Sequence, residues 1–208
     1  MSDDPVEDAL ALLDWKRTIG ECYAEIRATP DRHAAWNHWQ QTRARLFRAH
    51  PQSPIPPEQR PGYEGPHLFG YDPAWSLTAT TEPVEPSTLN IATSTETTAA
   101  FRRFGRAHFT HAGEAMTLEL YWLEGYGGGL FVPFADATSG TETYGAGRYL
   151  LDTVKGADLG ERDGRLVLDF NFAYQPSCAY DPRWTCPLTP PANRLGVAVR
   201  AGERVGPG

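Results

Sequence analysis

The chain has 208 residues, 40% of them hydrophobic and 22% charged, with a formal net charge of −7 at pH 7. That length supports one substantial hydrophobic core rather than several large domains, and the acidic balance speaks against a general nucleic-acid binder, because phosphate attraction needs a basic surface. No stretch approaches the roughly 20 apolar residues of a membrane helix. The acidic, amphipathic opening MSDDPVEDALALLDWKR lacks the basic start and apolar centre of a secretory signal, so a cytoplasmic protein is expected.

Two helices are predicted first. Asp4, Pro5 and Glu7 read as an N-cap, a first-turn proline and a capping-box acid, and Leu12, Trp15, Ile19, Tyr23 and Ile26 recur at helical spacing, predicting a helix over 5–28. Cys22 falls within it as core packing. Thr29 and Pro30 repeat the start signal, and Trp36, Trp39, Arg43, Leu46 and Phe47 share one side of a second helix ending before Pro51. An antiparallel hairpin over 1–50 is expected, its aromatic stripe packed on the rest of the chain. Were that stripe free, the chain would read instead as a noncatalytic structural or protein-interaction module. Arg43, Arg45 and Arg48 read as solvated.

Residues 51–74, rich in Pro and Gly, form a connector of extended and turn-like backbone. From Trp75 the period changes to two. Strands are expected at 75–80, 89–92, 104–110, 115–123, 130–134, 144–151, 166–174 and 195–200, with a hairpin across His111 to Glu114. About eight short strands in succession without intervening helices predict a mostly β fold, an antiparallel barrel or sandwich over 75–204, followed by a tail at 205–208.

The densest chemistry lies between Leu166 and Arg194, in LVLDFNFAYQPSCAYDPRWTCPLTPPANR. As a strand, this stretch puts Leu166, Leu168, Phe170 and Phe172 on one face and Asp169 and Asn171 together on the other. Several segments, PFADATSGTETYGAGRYL, LDFNFAYQPSCAY, TCPLTPPANRL and AGER, with HPQSPIPPEQR upstream, resemble a prokaryotic family known as domain-of-unknown-function family 1684. The resemblance covers residues 50–204 with its motifs in order. Asp136, Thr138, Tyr144, Gly147 and Arg148 match its first segment, and Asp169, Asn171, Tyr174, Cys178 and Tyr180 its second; Gln175 stands where the family usually carries Asn. The resemblance locates a site and implies no particular reaction.

The residues themselves allow four readings. In the first, a small polar or anionic molecule is held by the planar donors of Arg148, oriented by Asp169, Asn171 and Asn193, and walled by Tyr144 and Tyr174; the alternative is that Arg148 and Asp169 pair and brace the sheet. The second is a hydrolytic or thiol-dependent enzyme, with Cys178 as nucleophile and Asp169 or a distant histidine as base. The third is zinc at Cys178 and Cys186 completed by His108 or His111 and a carboxylate, although the usual ligand spacings are missing; no cofactor is predicted, and the same cysteines read equally as buried thiols or a loop-closing disulfide. The fourth makes residues 136–149 a phosphate cradle, against a bent β connection in which Gly140, Gly145 and Gly147 supply unusual dihedrals. A homo-oligomer is compatible with all four.

Overall fold

The computed structural model describes residues 4–95 and 97–206. Helix α1 spans Pro5–Ala28 and α2 spans Arg32–Ala49. The Asp4 carboxylate accepts the Val6 N–H at 2.8 Å and starts α1. Thr29 closes α1, its hydroxyl donating to Glu25 O at 2.8 Å, and does not start the next helix. That task falls to Asp31, whose carboxylate accepts from the N–H groups of His33 and Ala34 at 3.0 Å each. The aromatic stripe is packed inward: Trp39 meets Phe172 edge-on at 5.6 Å and Phe47 meets Tyr180 at 5.2 Å.

The β part is a seven-stranded antiparallel sheet, open at both ends, in the order β5-β4-β3-β2-β1-β7-β6. Its strands are β1 (Ser76–Ala92), β2 (Thr98–His111), β3 (Glu114–Leu123), β4 (Gly129–Phe134), β5 (Arg148–Asp152), β6 (Glu161–Arg162) and β7 (Arg165–Asp169). The sheet departs from the expected eight strands: β6 was not expected, and the strand expected from 144 begins only at Arg148. The two strands expected at 75–80 and 89–92 are one, because Pro83 and Pro86 sit in an irregularity of the β1–β2 ladder between Pro83 and Ser87. There β1 has already left β7, which it pairs only from Ser76 to Ala79, so the missing proline N–H groups cost no ladder bond on that side. The β2–β3 hairpin turns through Ala112 and Gly113, at φ 51° and 85°, as a two-residue turn of this twist requires.

The expected strand at 195–200 does not form. A bridge joins Arg194, just before it, to Ala135, Val197 O accepts the Ala137 N–H at 3.0 Å, and the carbonyls of Val199, Ala201 and Glu203 find a side chain instead of a neighbouring strand. Nor does 166–174 run as one strand: β7 stops at Asp169, and a 3-10 turn follows over Phe170–Phe172. The 135–147 connection joins β4 to β5 and contains Gly140 and Gly147 at φ 88° and 98°, whereas Gly145 keeps an ordinary φ. A side chain at Gly147 would meet the Phe134 carbonyl at 2.5 Å, so both its dihedral and its contact demand glycine. None of the described helices is long and apolar enough to cross a membrane.

Candidate functional site

Where β7 ends, Asp169 is fully buried and caps the turn that follows it, accepting the Asn171 N–H at 3.2 Å and the Asn171 side-chain N–H at 2.9 Å. The two residues meet through this turn and not, as the alternating pattern implies, by sharing a strand face. Asp169 also takes the Ser76 hydroxyl at 2.7 Å and lies 3.5 Å from the Arg32 guanidinium. Asn171 spends its other amide valences on the backbone of Asp72, 2.9 Å away in both directions. Together they staple the 51–74 connector and the second helix to the end of β7. Neither Arg148 nor Cys178 is among the hydrogen-bond partners of Asp169.

Arg148 is 1% exposed and pairs with Asp136 at 2.7 Å. Its terminal nitrogens donate to the carbonyls of Val199, Ala201 and Glu203, and this is where the strandless C-terminal segment finds its partners: one guanidinium satisfies three buried carbonyls that an adjacent strand would otherwise serve. Burial pulls the guanidinium pKa down, with the Asp136 carboxylate opposing. Asp136 itself holds the 135–147 turn, accepting the Thr138 N–H at 2.6 Å. The pairing of Arg148 with Asp169 is thus replaced by one with Asp136, and the glycine-rich segment is a bent connection braced from within. Asn193 is likewise committed, accepting the Glu119 N–H at 2.8 Å and donating to Glu119 O at 3.1 Å and Pro133 O at 2.7 Å.

A different arginine faces open space. Arg43, expected to be solvated, is only 7% exposed. Its guanidinium lies 4.7 Å from the Phe47 ring centroid and 4.9 Å from that of Tyr174, and its Nε donates to Glu203. The second Glu203 oxygen accepts the Gln175 N–H at 2.7 Å and the Tyr180 hydroxyl at 3.0 Å. Burial lowers the Arg43 pKa and the Glu203 carboxylate more than offsets it, so the net shift is upward and the guanidinium stays charged. Among the described residues nothing hydrogen-bonds to its Nη1 or Nη2. These residues line a cavity of about 50 Å³ between the helices and the sheet, with Tyr23, Tyr149, Tyr174, Lys155 and Ser177 also in its walls.

Two further donors there lack acceptors. The Tyr23 hydroxyl is buried without a hydrogen-bond partner; the Trp39 indole N–H faces it without reaching hydrogen-bond geometry and, as a donor, cannot take its proton. Burial pushes Tyr23 and Tyr174 above the ordinary phenol range, so both stay protonated. The Ser177 hydroxyl also makes no hydrogen bond among the described residues. Acceptors nearby are already occupied: Tyr174 donates to Asp152 at 3.4 Å, and Lys155 lies 3.7 Å from the same oxygen. A wider groove of about 350 Å³, walled by Pro83, Phe104, Leu120, Leu130 and Leu166 among others, contains none of the buried polar atoms left without partners.

Cys178 adjoins this cavity in sequence, one residue after Ser177, and forms its own cluster. Its N–H donates to Cys186 Sγ at 3.4 Å, and the Tyr144 hydroxyl lies 3.7 Å from its sulfur. The Cys186 thiol's hydrogen bond draws the Cys178 pKa down to about 6 against the upward pull of burial, with the Tyr144 and Ser94 hydroxyls assisting. Cys186 is correspondingly pushed up by the same hydrogen bond and by burial. Gln175 ties this cluster to the Arg43 network: its side-chain oxygen accepts the Tyr144 N–H at 3.1 Å, and its nitrogen donates to Arg204 O at 3.2 Å. Zinc finds no such gathering. His111 stacks on Trp75 at 3.7 Å and His108 sits 2.9 Å from Glu82, and no group of three or more His, Cys, Asp or Glu among the described residues is placed to hold a metal.

Of the expected site residues, the structure therefore joins Tyr144, Tyr174 and Cys178 through Gln175, pairs Asp169 with Asn171 elsewhere, and puts Arg148 and Asn193 behind the site as braces. Arg43, Tyr23 and Glu203 were not expected. The signal for Arg43 is its position within the apolar stripe, between Trp39 and Phe47 at helical spacing, where a charge needs a buried partner.

A family described as "Protein of unknown function (DUF1684)" matches residues 61–204. The chain belongs to this family. The solution NMR structure of an uncharacterized protein from Haloarcula marismortui is 36% identical, covers 86% of this chain and 97% of its own, and superposes with a TM-score of 0.62. No functionally curated protein matches the chain. The match to the DUF1684 family includes every residue of the Cys178 cluster and most of the Arg43 cavity's sheet-side wall, while α1 and α2, which supply Tyr23 and Arg43, precede it.

Proposed function

We propose that this DUF1684 protein binds a small polar or anionic molecule, one rich in acceptor oxygens, in the Arg43 cavity. The observation that carries the reading is a charged guanidinium on a residue only 7% exposed, with no hydrogen-bond partner at either terminal nitrogen among the described residues, lining a cavity in whose wall Tyr23 also stands. Neither Arg43 terminal nitrogen is among the fully buried unpaired atoms, so both can be met by water in the cavity, and a ligand oxygen would take the place of that water. The Arg43 nitrogens and the Tyr23 and Ser177 hydroxyls would donate, and the Tyr174 ring would form a flat wall.

Size and charge narrow the class. A volume of about 50 Å³ is room for roughly four water-sized groups, which fits a formate, acetate or phosphate-sized species and excludes a nucleotide. Arg43 and Lys155 are balanced by Glu203 and Asp152, so the surroundings are close to neutral and selection rests on acceptor oxygens more than on the ligand's net charge. Both Glu203 oxygens and one Asp152 oxygen already accept, so most of the vacant valences are donors, which favours an acceptor over a cation.

Thermal unfolding at fixed ionic strength tests the reading, with formate, acetate, phosphate and sulfate compared against chloride. A ligand at 100 times its Kd stabilises the folded state by about 2.7 kcal/mol, which appears as a rise in Tm. Tyr23→Phe removes one donor without opening space, and should abolish most of that rise while leaving the unliganded Tm unchanged or slightly higher. A wild type indifferent to all four probes, or a Tyr23→Phe variant stabilised as much as the wild type, overturns the proposal.

A further inference from the structure

We infer that Cys178 and Cys186 are a dithiol that exchanges with small-molecule disulfides, Cys178 attacking and Cys186 resolving, so that the product is an intramolecular disulfide closing the CAYDPRWTC loop. The inference is independent of whether the Arg43 cavity binds a ligand. Three features of the geometry carry it.

The first is proximity: both cysteines are free, and the Cys178 N–H already donates to Cys186 Sγ at 3.4 Å. The second is a division of access. Cys178 is half-buried and Cys186 is 1% exposed, so a reagent from solvent meets Cys178 first, while Cys186 is shielded from everything except its neighbour. The third is that the two ends of the loop are already held in place by other bonds. Cys186 accepts from the Ser94 N–H at 3.0 Å and donates its own N–H to the Ser94 hydroxyl at 3.1 Å, Leu188 N–H donates to Ala92 O at 2.8 Å, and Tyr180 N–H donates to Ser177 O at 3.0 Å. Joining the sulfurs needs their approach and no refolding of the segment, which is the condition for an exchangeable bridge. The Tyr144 hydroxyl, 3.7 Å from Cys178 Sγ, is placed to donate to the attacking thiolate, and Ser94 sits on the same side.

The chemistry balances in two steps. The Cys178 thiolate attacks one sulfur of a disulfide RSSR; a Cys178–SR bond forms, the S–S bond breaks, and RS⁻ leaves and takes a proton. Cys186 then loses its proton to solvent and attacks Cys178 Sγ, expelling the second RS⁻. Two protein thiols are oxidised to one disulfide and RSSR is reduced to two RSH.

The full-length protein is equilibrated in buffers of reduced and oxidised glutathione, quenched with acid, alkylated, and read by intact and peptide mass spectrometry. The wild type should lose two hydrogens and retain no glutathione, with the bridge mapped between Cys178 and Cys186. Cys186→Ser should trap one glutathione on Cys178, and Cys178→Ser should show neither product at these positions. Tyr144→Phe, which keeps the ring in place, should slow the first step several-fold without preventing the bridge; circular dichroism of each variant separates lost chemistry from lost fold. A wild type that stays reduced in excess oxidised glutathione, that accumulates an unresolved adduct, or whose adduct in Cys186→Ser maps to Cys22 overturns the inference.

Discussion

Arg43 on the second helix and Glu203 near the C-terminus form a buried ion pair across 160 positions of sequence. Glu203 also presents its backbone carbonyl to Arg148 at 3.0 Å, so two arginines from different layers fix one short segment, from Val199 to Glu203, that has no strand beside it. Removing one charge leaves the other buried and uncompensated. Glu203→Ala should therefore cost about 3–5 kcal/mol in urea unfolding, and the double variant Arg43→Met/Glu203→Gln should recover a large part of that loss. A loss under about 1 kcal/mol, the range of an exposed pair, would contradict this role.

Asn193 shows the same economy with a neutral side chain. Its amide bonds to both backbone groups of Glu119 and to Pro133 O, joining β3 and β4 to the C-terminal segment. Asn193→Ala strands three buried backbone groups and should destabilise by more than about 3 kcal/mol, measurable as a fall in the urea midpoint at unchanged m-value.

At the tip of the β2–β3 hairpin, Ala112 holds φ 51° and is exposed. An alanine there carries the strain of a left-handed residue without any contact to offset it. Ala112→Gly should stabilise by roughly 0.5–1 kcal/mol, and Ala112→Val should destabilise by more than that; a rise in Tm for the glycine variant checks it.

The thiols should titrate far apart. Cys178, drawn down to about 6 by the Cys186 hydrogen bond, is mostly thiolate at pH 7, while Cys22, pushed up to about 11 by burial, is protonated. Iodoacetamide labelling of Cys178 should rise with pH and level off above a midpoint near 6. Relative to an ordinary thiol at pH 7, roughly 90 times more thiolate is offset by about 20-fold lower intrinsic nucleophilicity, leaving a net gain of about fourfold. In Cys186→Ser the midpoint should move upward, toward the ordinary value; an unmoved midpoint excludes Cys186 as the cause.

Much of the architecture was legible from local chemistry. The helix-start signal at Asp4–Pro5, the period-two runs and the Ala112–Gly113 turn each specify their element with residues close in sequence. What sequence reading missed depends on distant partners. Pro83 and Pro86 break a strand pattern locally, and only the departure of β1 from β7 makes them tolerable inside one continuous strand. Leu195–Arg200 alternates as a strand does, but its backbone is partnered by the irregular stretch at Ala135 and Ala137 and, from Val199 on, by the Arg148 guanidinium. The motif-rich stretch did contain Tyr174, Gln175 and Cys178, yet its buried Asp169, like Arg148 in the segment before it, is a brace, because a buried charge is as readily a structural device as a functional one. Arg43 was hidden in plain view: its place in an aromatic stripe marked it as buried, and its partner lay at the far end of the chain.

The central claim is that the unused donors around Arg43 are a binding site. Crystals grown without added oxyanion and then soaked in selenate test it most directly, because selenium marks its own position by anomalous scattering. The account predicts an anomalous peak inside the cavity, within hydrogen-bond distance of Arg43 Nη1 or Nη2 and of the Tyr23 hydroxyl, that disappears in Tyr23→Phe. Selenate bound only at the outer surface, with water alone or nothing beside Arg43, would contradict it.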